Sequence, residues 1–85
     1  MLNNTQCELA RVMTNDIASD VQINLEYASL NPATMELAAK EIDGLVRLHS
    51  MPIDKCLKTM FNDFADIANK YFIRPATLFA YIWTS

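Results

Sequence analysis

The sequence predicts an all-α domain, a small bundle of about four helices, and three observations lead to this prediction. Apolar residues recur at steps of three and four along most of the chain, which is the spacing of one face of an α-helix. The composition is 52% hydrophobic, which is enough for a core. One glycine and three prolines leave few turns between long periodic segments. Because the chain has 85 residues, we expect a single domain.

The first predicted helix covers residues 5–29. Thr5 and Glu8 have the spacing of a capping box, in which both side chains accept hydrogen bonds from backbone amides at a helix start. Large apolar residues then recur every fourth position, and we expect them to face the core: Leu9, Met13, Ile17, Val21 and Leu25. A row with this spacing drifts by about 40° per step, so the helix either curves or breaks near residues 22–24. The predicted outer face is acidic and carries Glu8, Asp16, Asp20 and Glu26.

The second predicted helix covers residues 32–49 and is apolar over most of its circumference. Asn31 caps it, and Pro32 occupies the first helical position, where a missing N–H has no cost. Four of its charged residues form one narrow strip: Glu36, Lys40, Asp43 and Arg47. Leu37, Gly44 and Leu48 widen the apolar surface to an arc of roughly 220°. We expect this second apolar side to be covered by another subunit or another protein, with Gly44 permitting close backbone approach.

The third predicted helix, residues 52–72, is the organising element of the bundle. Its apolar stripe keeps one phase throughout and consists of Ile53, Cys56, Leu57, Met60, Phe64, Ile67, Ala68 and Tyr71. A polar face lies opposite this stripe. Ile73-Arg74-Pro75 ends the helix, because the residue before a proline avoids helical geometry. A short fourth helix covers residues 75–83.

The aromatic residues are concentrated near the C-terminus, where seven of the eight lie between Phe61 and Trp83. Phe79, Tyr81 and Trp83 on one short helix point in several directions, so we expect at least one of them to be exposed. Exposed aromatic side chains are enriched at interfaces, and we take these three with Phe72 as candidate partner-binding residues. The alternative is that two of the aromatics simply seal the bundle.

Residues 66–82 read DIANKYFIRPATLFAYI, with an apolar pair at residues 67–68, Ile73 before a proline, and a new helix from Pro75. This segment resembles the helix-turn-helix of bacterial and phage regulators. The resemblance implies a DNA-binding protein in which Lys70 and Arg74 contact phosphate and Thr77 reaches the bases. Two features depart from the family pattern. Phe72 stands at the usual turn glycine, and the recognition helix lacks Arg, Lys, Asn and Gln, which read base edges.

The charge balance argues against a protein that works mainly by neutralising phosphates, since the net charge is −3. Asp16 and Asp20 lie one helical turn apart but have no further ligands nearby, so we expect a solvated acidic face and no metal site. His49 is the only histidine and lies at a helix end, where the helix dipole favours a cation. The sequence has no Gly-rich phosphate loop, no nucleophile elbow and no histidine placed to pair with either cysteine, and we expect no cofactor and no catalysis.

Cys7 and Cys56 have no motif spacing, and we expect both to be reduced and structural. The alternative is a single disulfide in a secreted chain. The N-terminal residues do not resemble a signal peptide, and no segment has the length of a membrane span, so we expect a cytoplasmic protein.

The function that these observations predict is binding to another protein, or self-association into a homodimer, by a small regulator, inhibitor or adaptor. DNA binding through residues 66–83 is the alternative. Small acidic helical proteins of this kind are common among phage and plasmid regulators, which is an analogy only.

Overall fold

Residues 1–84, which the computed structural model describes, form six helices and no strand. The helices are α1 (Asn4–Thr14), α2 (Asp20–Ser29), α3 (Pro32–His49), α4 (Ile53–Thr59), α5 (Phe61–Lys70) and α6 (Pro75–Thr84). The predicted all-α class is confirmed. The predicted count of four helices was too low, because two of the predicted helices are each divided in two.

The first division lies between α1 and α2, at residues 15–19, and not at the predicted residues 22–24. Asn15 adopts a left-handed conformation with φ of 51°, which ends α1. Ser19 then caps α2 in a capping box with Gln22. A second capping box, formed by Asn3 and Gln6, starts α1 in place of the predicted one. Two consecutive boxes therefore start two separate helices, each with its own phase.

The second division lies at Met60, where φ of −116° and ψ of 34° interrupt the predicted helix 52–72. The predicted apolar stripe remains on the inner side of both segments, with Cys56 and Leu57 buried on α4 and Phe64 and Ala68 buried on α5. The two segments share α3 as a partner and differ in the other helix that each contacts. Helix α4 packs against α1 and α3, while α5 packs against α3 and α6.

Helix α3 begins as predicted. The side chain of Asn31 accepts a hydrogen bond from the amide of Ala33 at 2.9 Å, and Pro32 occupies the first turn. The helix ends at His49, after which Ser50 adopts a left-handed conformation with φ of 52°. Met35, Ala38 and Ile42 form its buried face.

Helix α6 lies at the centre of the fold, the place predicted for residues 52–72. It packs against α1, α2, α3 and α5. Five consecutive residues of α6 are fully buried: Ala76, Thr77, Leu78, Phe79 and Ala80. A helix that is buried all round is the core element of a domain. Its most extensive packing is against α1, so the two ends of the described chain meet in the core.

The core face of α1 and α2 is built from small residues, contrary to the predicted row of large ones. Cys7, Ala10, Thr14 and Ala18 are buried, together with Ile23 of α2. Four residues of the predicted core row are instead exposed: Leu9, Ile17, Val21 and Leu25. Small side chains allow α6 to lie close to α1, and the large apolar residues are left on the outside. Both cysteines are free and buried, and burial raises the pKa of each thiol.

Candidate protein-binding surfaces

An apolar groove with a volume of about 740 Å³ lies between the N-terminal residues and α2. Val21 and Leu25 form one wall and are each 66% exposed. Met1, Leu2 and Leu30 extend the apolar lining. Helix α2 therefore shows its large apolar side chains to solvent and turns Ile23 towards the core. We call this surface the α2 groove.

The N-terminal wall of the α2 groove is held in place by Asn24. The amide of Leu2 donates a hydrogen bond to the side-chain oxygen of Asn24 at 2.8 Å, and Asn24 Nδ2 donates to the carbonyl of Leu2 at 3.4 Å. Asn24 Nδ2 also donates to the carbonyl of Asp20 at 3.0 Å. Because the leucine side chain is itself buried, the segment is anchored through both its backbone and its side chain. The groove is thus largely pre-formed, as binding sites usually are.

A second apolar surface lies on α3, where the sequence predicted one. Leu37 is 53% exposed and Leu48 is 77% exposed, and Gly44 lies between them on the same face. A methyl group placed on Gly44 would meet no atom within 4 Å. The described residues therefore make no use of the close approach that glycine permits. We call Ala33, Leu37, Gly44 and Leu48 the α3 row.

The four predicted C-terminal aromatics are found in different environments. Phe79 is fully buried and makes edge contacts with Phe64 and Trp83, at centroid distances of 6.5 Å and 5.0 Å. It belongs to the core, so its prediction as a partner-binding residue was wrong. Tyr81 is half-buried and tilted against Tyr27, with ring centroids 6.1 Å apart. Trp83 keeps about half of its surface exposed.

Phe72 is 91% exposed and adopts a left-handed conformation with φ of 58°. It lies in the turn between α5 and α6, at the position where a helix-turn-helix usually has glycine. A left-handed conformation costs a residue with a side chain roughly 1–2 kcal/mol. Phe72 therefore combines backbone strain with a large apolar side chain in solvent.

The three residues implied by the helix-turn-helix resemblance are unsuited to contacting DNA. Thr77 is fully buried, because the helix that would enter the major groove is the central helix of the fold. Its hydroxyl has no hydrogen-bond partner among the described residues. Lys70 Nζ lies 3.1 Å from Glu41 Oε1, and Arg74 is bound to two carboxylates. Both cations are already neutralised by the chain itself.

Arg74 connects the start of α6 to the loop before α2 and to α2 itself. Its guanidinium lies 3.1 Å from Asp16 Oδ1 and 3.4 Å from Glu26 Oε2. Asp16 also accepts hydrogen bonds from the amides of Ala18 and Ala76, at 3.0 Å and 3.3 Å, and so caps α6. The Asp16 side chain is only 8% exposed. The predicted solvated acidic face is therefore incorrect for Asp16 and Glu26, whose carboxylates hold the core helix.

Glu41 performs a similar role on the other side of the turn. The hydroxyl of Tyr71 donates a hydrogen bond to it, and Lys70 forms the ion pair described above. These interactions, led by the hydrogen bond from the tyrosine, lower the pKa of Glu41 below its ordinary value. The same contacts raise the pKa values of Lys70 and Tyr71. The cluster links α3 to the end of α5.

Comparison with protein-family models, curated proteins and solved structures found no match. Within residues 1–84, no three His, Cys, Asp or Glu side chains are grouped so that they could hold a metal ion. In the same range, no helix is both long enough and apolar enough to cross a membrane.

Sequence reasoning missed the α2 groove and the carboxylates around Arg74. A signal for the groove was present, since Ser19 and Gln22 have the spacing of a capping box. A helix starting at Asp20 places Val21, Leu25 and Ala28 on one side and Ile23 on the other. No local sequence pattern predicts the contacts of Arg74, because Asp16 is 58 residues away in the sequence.

Proposed function

We propose that the chain is a small non-enzymatic protein that acts by binding another protein, as a regulator, inhibitor or adaptor. The observation that carries this proposal is the α2 groove, which is concave, mostly apolar and anchored by Asn24. The partner that fits it is an amphipathic helix or a short apolar segment, whose side chains would cover Val21 and Leu25. We further propose that the protein acts in the cytoplasm, where two free cysteines stay reduced.

The exposure of Val21 and Leu25 favours a role in protein binding over a role in stabilising the fold. Large apolar side chains that stabilise a fold are buried within it, whereas Val21 and Leu25 are two-thirds exposed. Full burial of a side chain of this size contributes about 1.5–3 kcal/mol. Val21 and Leu25 gain only part of this free energy when the described chain folds. Docking by a partner would recover it.

The experiment that tests the proposal is site-specific photo-crosslinking in cells. A photoreactive phenylalanine analogue at position 25 should give discrete protein adducts, and the same analogue at the exposed Lys55 of α4 should give none. Adding Val21→Glu to the position-25 protein should abolish the adducts, because a carboxylate cannot be desolvated in the groove. Equal adducts at positions 25 and 55 would contradict the proposal.

The alternative function, DNA binding through residues 66–83, is separated by a duplex titration at two salt concentrations. A DNA-binding protein should lose affinity steeply as salt rises, and Lys70→Ala with Arg74→Ala should remove the binding. We expect no salt-dependent binding, because both cations face carboxylates and Thr77 is buried. Tight, salt-sensitive binding by the wild-type chain would favour the alternative.

A further inference from the structure

The α3 row carries an inference that is independent of the α2 groove. We infer that α3 pairs with α3 of a second copy of the chain in an antiparallel arrangement about a two-fold axis. This axis passes between Glu41 and Ile42. The inference rests on the charges beside the row, on the spacing of the row, and on the exposure of both.

The charged strip of α3 is complementary to itself only when two helices run in opposite directions. Its signs alternate along the helix: Glu36 is negative, Lys40 positive, Asp43 negative and Arg47 positive. In an antiparallel pair the same flank of each helix faces its counterpart. Pairing Glu36 with Arg47 and Lys40 with Asp43 of the second copy places both contacts about one common centre. The two-fold axis then generates four contacts between opposite charges, and no like charges are opposed within the strip. Glu41 lies near the axis on the other flank, where its ion pair with Lys70 offsets its charge.

The apolar row fits the same centre without adjustment. An axis between residues 41 and 42 places Leu37 at the level between Gly44 and Leu48 of the second copy. It places Leu48 between Ala33 and Leu37 of the second copy. Each leucine would thus enter a gap in the facing row, as in knobs-into-holes packing. Gly44 forms the floor of one gap, and a methyl group built on it would meet no atom of residues 1–84 within 4 Å.

A parallel pair would lack these contacts. A two-fold axis parallel to the helices places the charged strips of the two copies on opposite sides of the interface, so the strips would not meet. The strip is also available for contacts between chains. Asp43 and Arg47 form an ion pair within the helix, at 3.0 Å, but both side chains are mostly exposed. Such a pair contributes little and can be exchanged for a contact with a second copy.

The expected dimer is weak. One helix face from Ala33 to Leu48 extends over about 22 Å, which places the buried area at the low end for specific interfaces. We therefore expect a dissociation constant between roughly 10 μM and 1 mM. A dimer of this strength would respond strongly to protein concentration and to salt.

The test is a charge-reversal experiment read by sedimentation equilibrium at low salt. Lys40→Glu and Asp43→Lys should each weaken self-association by about tenfold, because every changed contact then opposes like charges. An equimolar mixture of the two variants should recover dimer to within about threefold of wild type. In that mixed dimer each substituted side chain faces an opposite charge, and the two remaining wild-type residues also attract.

Controls separate the interface from the fold and from net charge. Lys40 and Asp43 are both exposed, so circular dichroism spectra of the variants should match that of wild type. Lys55→Glu on α4 changes net charge as Lys40→Glu does, and should leave self-association unchanged. Leu25→Glu should also leave the dimer intact, which keeps this test separate from that of the α2 groove.

Three results would overturn the inference. The first is a wild-type chain that stays monomeric at about 1 mM, the upper end of the expected dissociation range, where at least about half of the protein should be dimeric. The second is a mixture of Lys40→Glu and Asp43→Lys that associates no better than either variant alone. The third is self-association of Lys40→Glu and of Asp43→Lys at wild-type strength, which is the behaviour of a pair whose charged strips do not meet, as in a parallel arrangement.

Discussion

Helices α2 and α6 have the same length of ten residues and contrast in what they bury. One residue of α2, Ile23, is fully buried, while α6 buries five in succession. Helix α2 carries two large apolar residues outward and turns Glu26 inward to Arg74. The difference shows that apolar spacing alone did not identify the core here. Freedom from charge is the better signal, because the segment from Pro75 to Ser85 contains no charged residue.

The largest expected effect is the loss of stability on shortening a buried aromatic side chain of α6. Phe79→Ala should lower the free energy of unfolding by about 3–5 kcal/mol, because it leaves a cavity beside Phe64 and Trp83. Leu25→Ala, at an exposed position of α2, should change it by less than about 0.5 kcal/mol. Urea unfolding followed by circular dichroism measures both. Equal losses in the two variants would remove the distinction between the helices.

The next effect concerns the carboxylate that caps α6. Asp16→Asn should cost about 2 kcal/mol, since it removes an ion pair with Arg74 and weakens the cap on Ala76. The matched control is Asp43→Asn, which breaks the exposed pair with Arg47 and should cost less than about 0.5 kcal/mol. The same urea titration applies. A negligible loss for Asp16→Asn would mean that α6 is held by apolar packing alone.

Part of the fold could be predicted from the sequence, and part depends on tertiary contacts. The all-α class, the start of α3 at Pro32, and the inner face of α4 and α5 followed from local signals that the structure keeps. The exposed α3 row followed from the over-wide apolar arc. The centre of the fold did not follow, because only tertiary contacts decide which helix is surrounded. The α2 groove was not predicted, because Ser19 starts a new helix and the regular spacing of the apolar residues suggested that one helix continued.

A smaller effect, in the stabilising direction, tests whether Thr77 belongs to the core. Thr77→Val should raise the free energy of unfolding by about 1 kcal/mol, because valine has a similar shape and removes a buried hydroxyl that has no partner. Thr59→Val, at an exposed position of α4, is the control and should be nearly neutral. Thermal unfolding of both variants is sufficient. A loss of stability in Thr77→Val would indicate that the hydroxyl is hydrogen-bonded.

The smallest effect is the contribution of Glu41 to acid stability. Its pKa is lowered in the folded state, so its stabilising contribution is present above the ordinary value of 4.5 and is lost as pH falls through the folded pKa. Glu41→Gln should therefore be less stable than wild type at neutral pH, and the difference should shrink at lower pH. Urea midpoints measured at pH 7 and at about pH 3 provide the comparison. A difference that does not depend on pH would show that the carboxylate charge contributes nothing.

The central position of α6 has a consequence for the synthesis of the protein. Ribosomes add residues from the N-terminus at about 5–20 per second, so α1 to α5 are made before the helix that fills the space between them. Until residues 75–84 have emerged, the nascent chain cannot close its core and exposes apolar side chains to chaperones and proteases. A stop codon near residue 74 would thus yield a product that is degraded, not a smaller folded domain. We therefore expect an mRNA that is truncated at this codon to yield little accumulated protein.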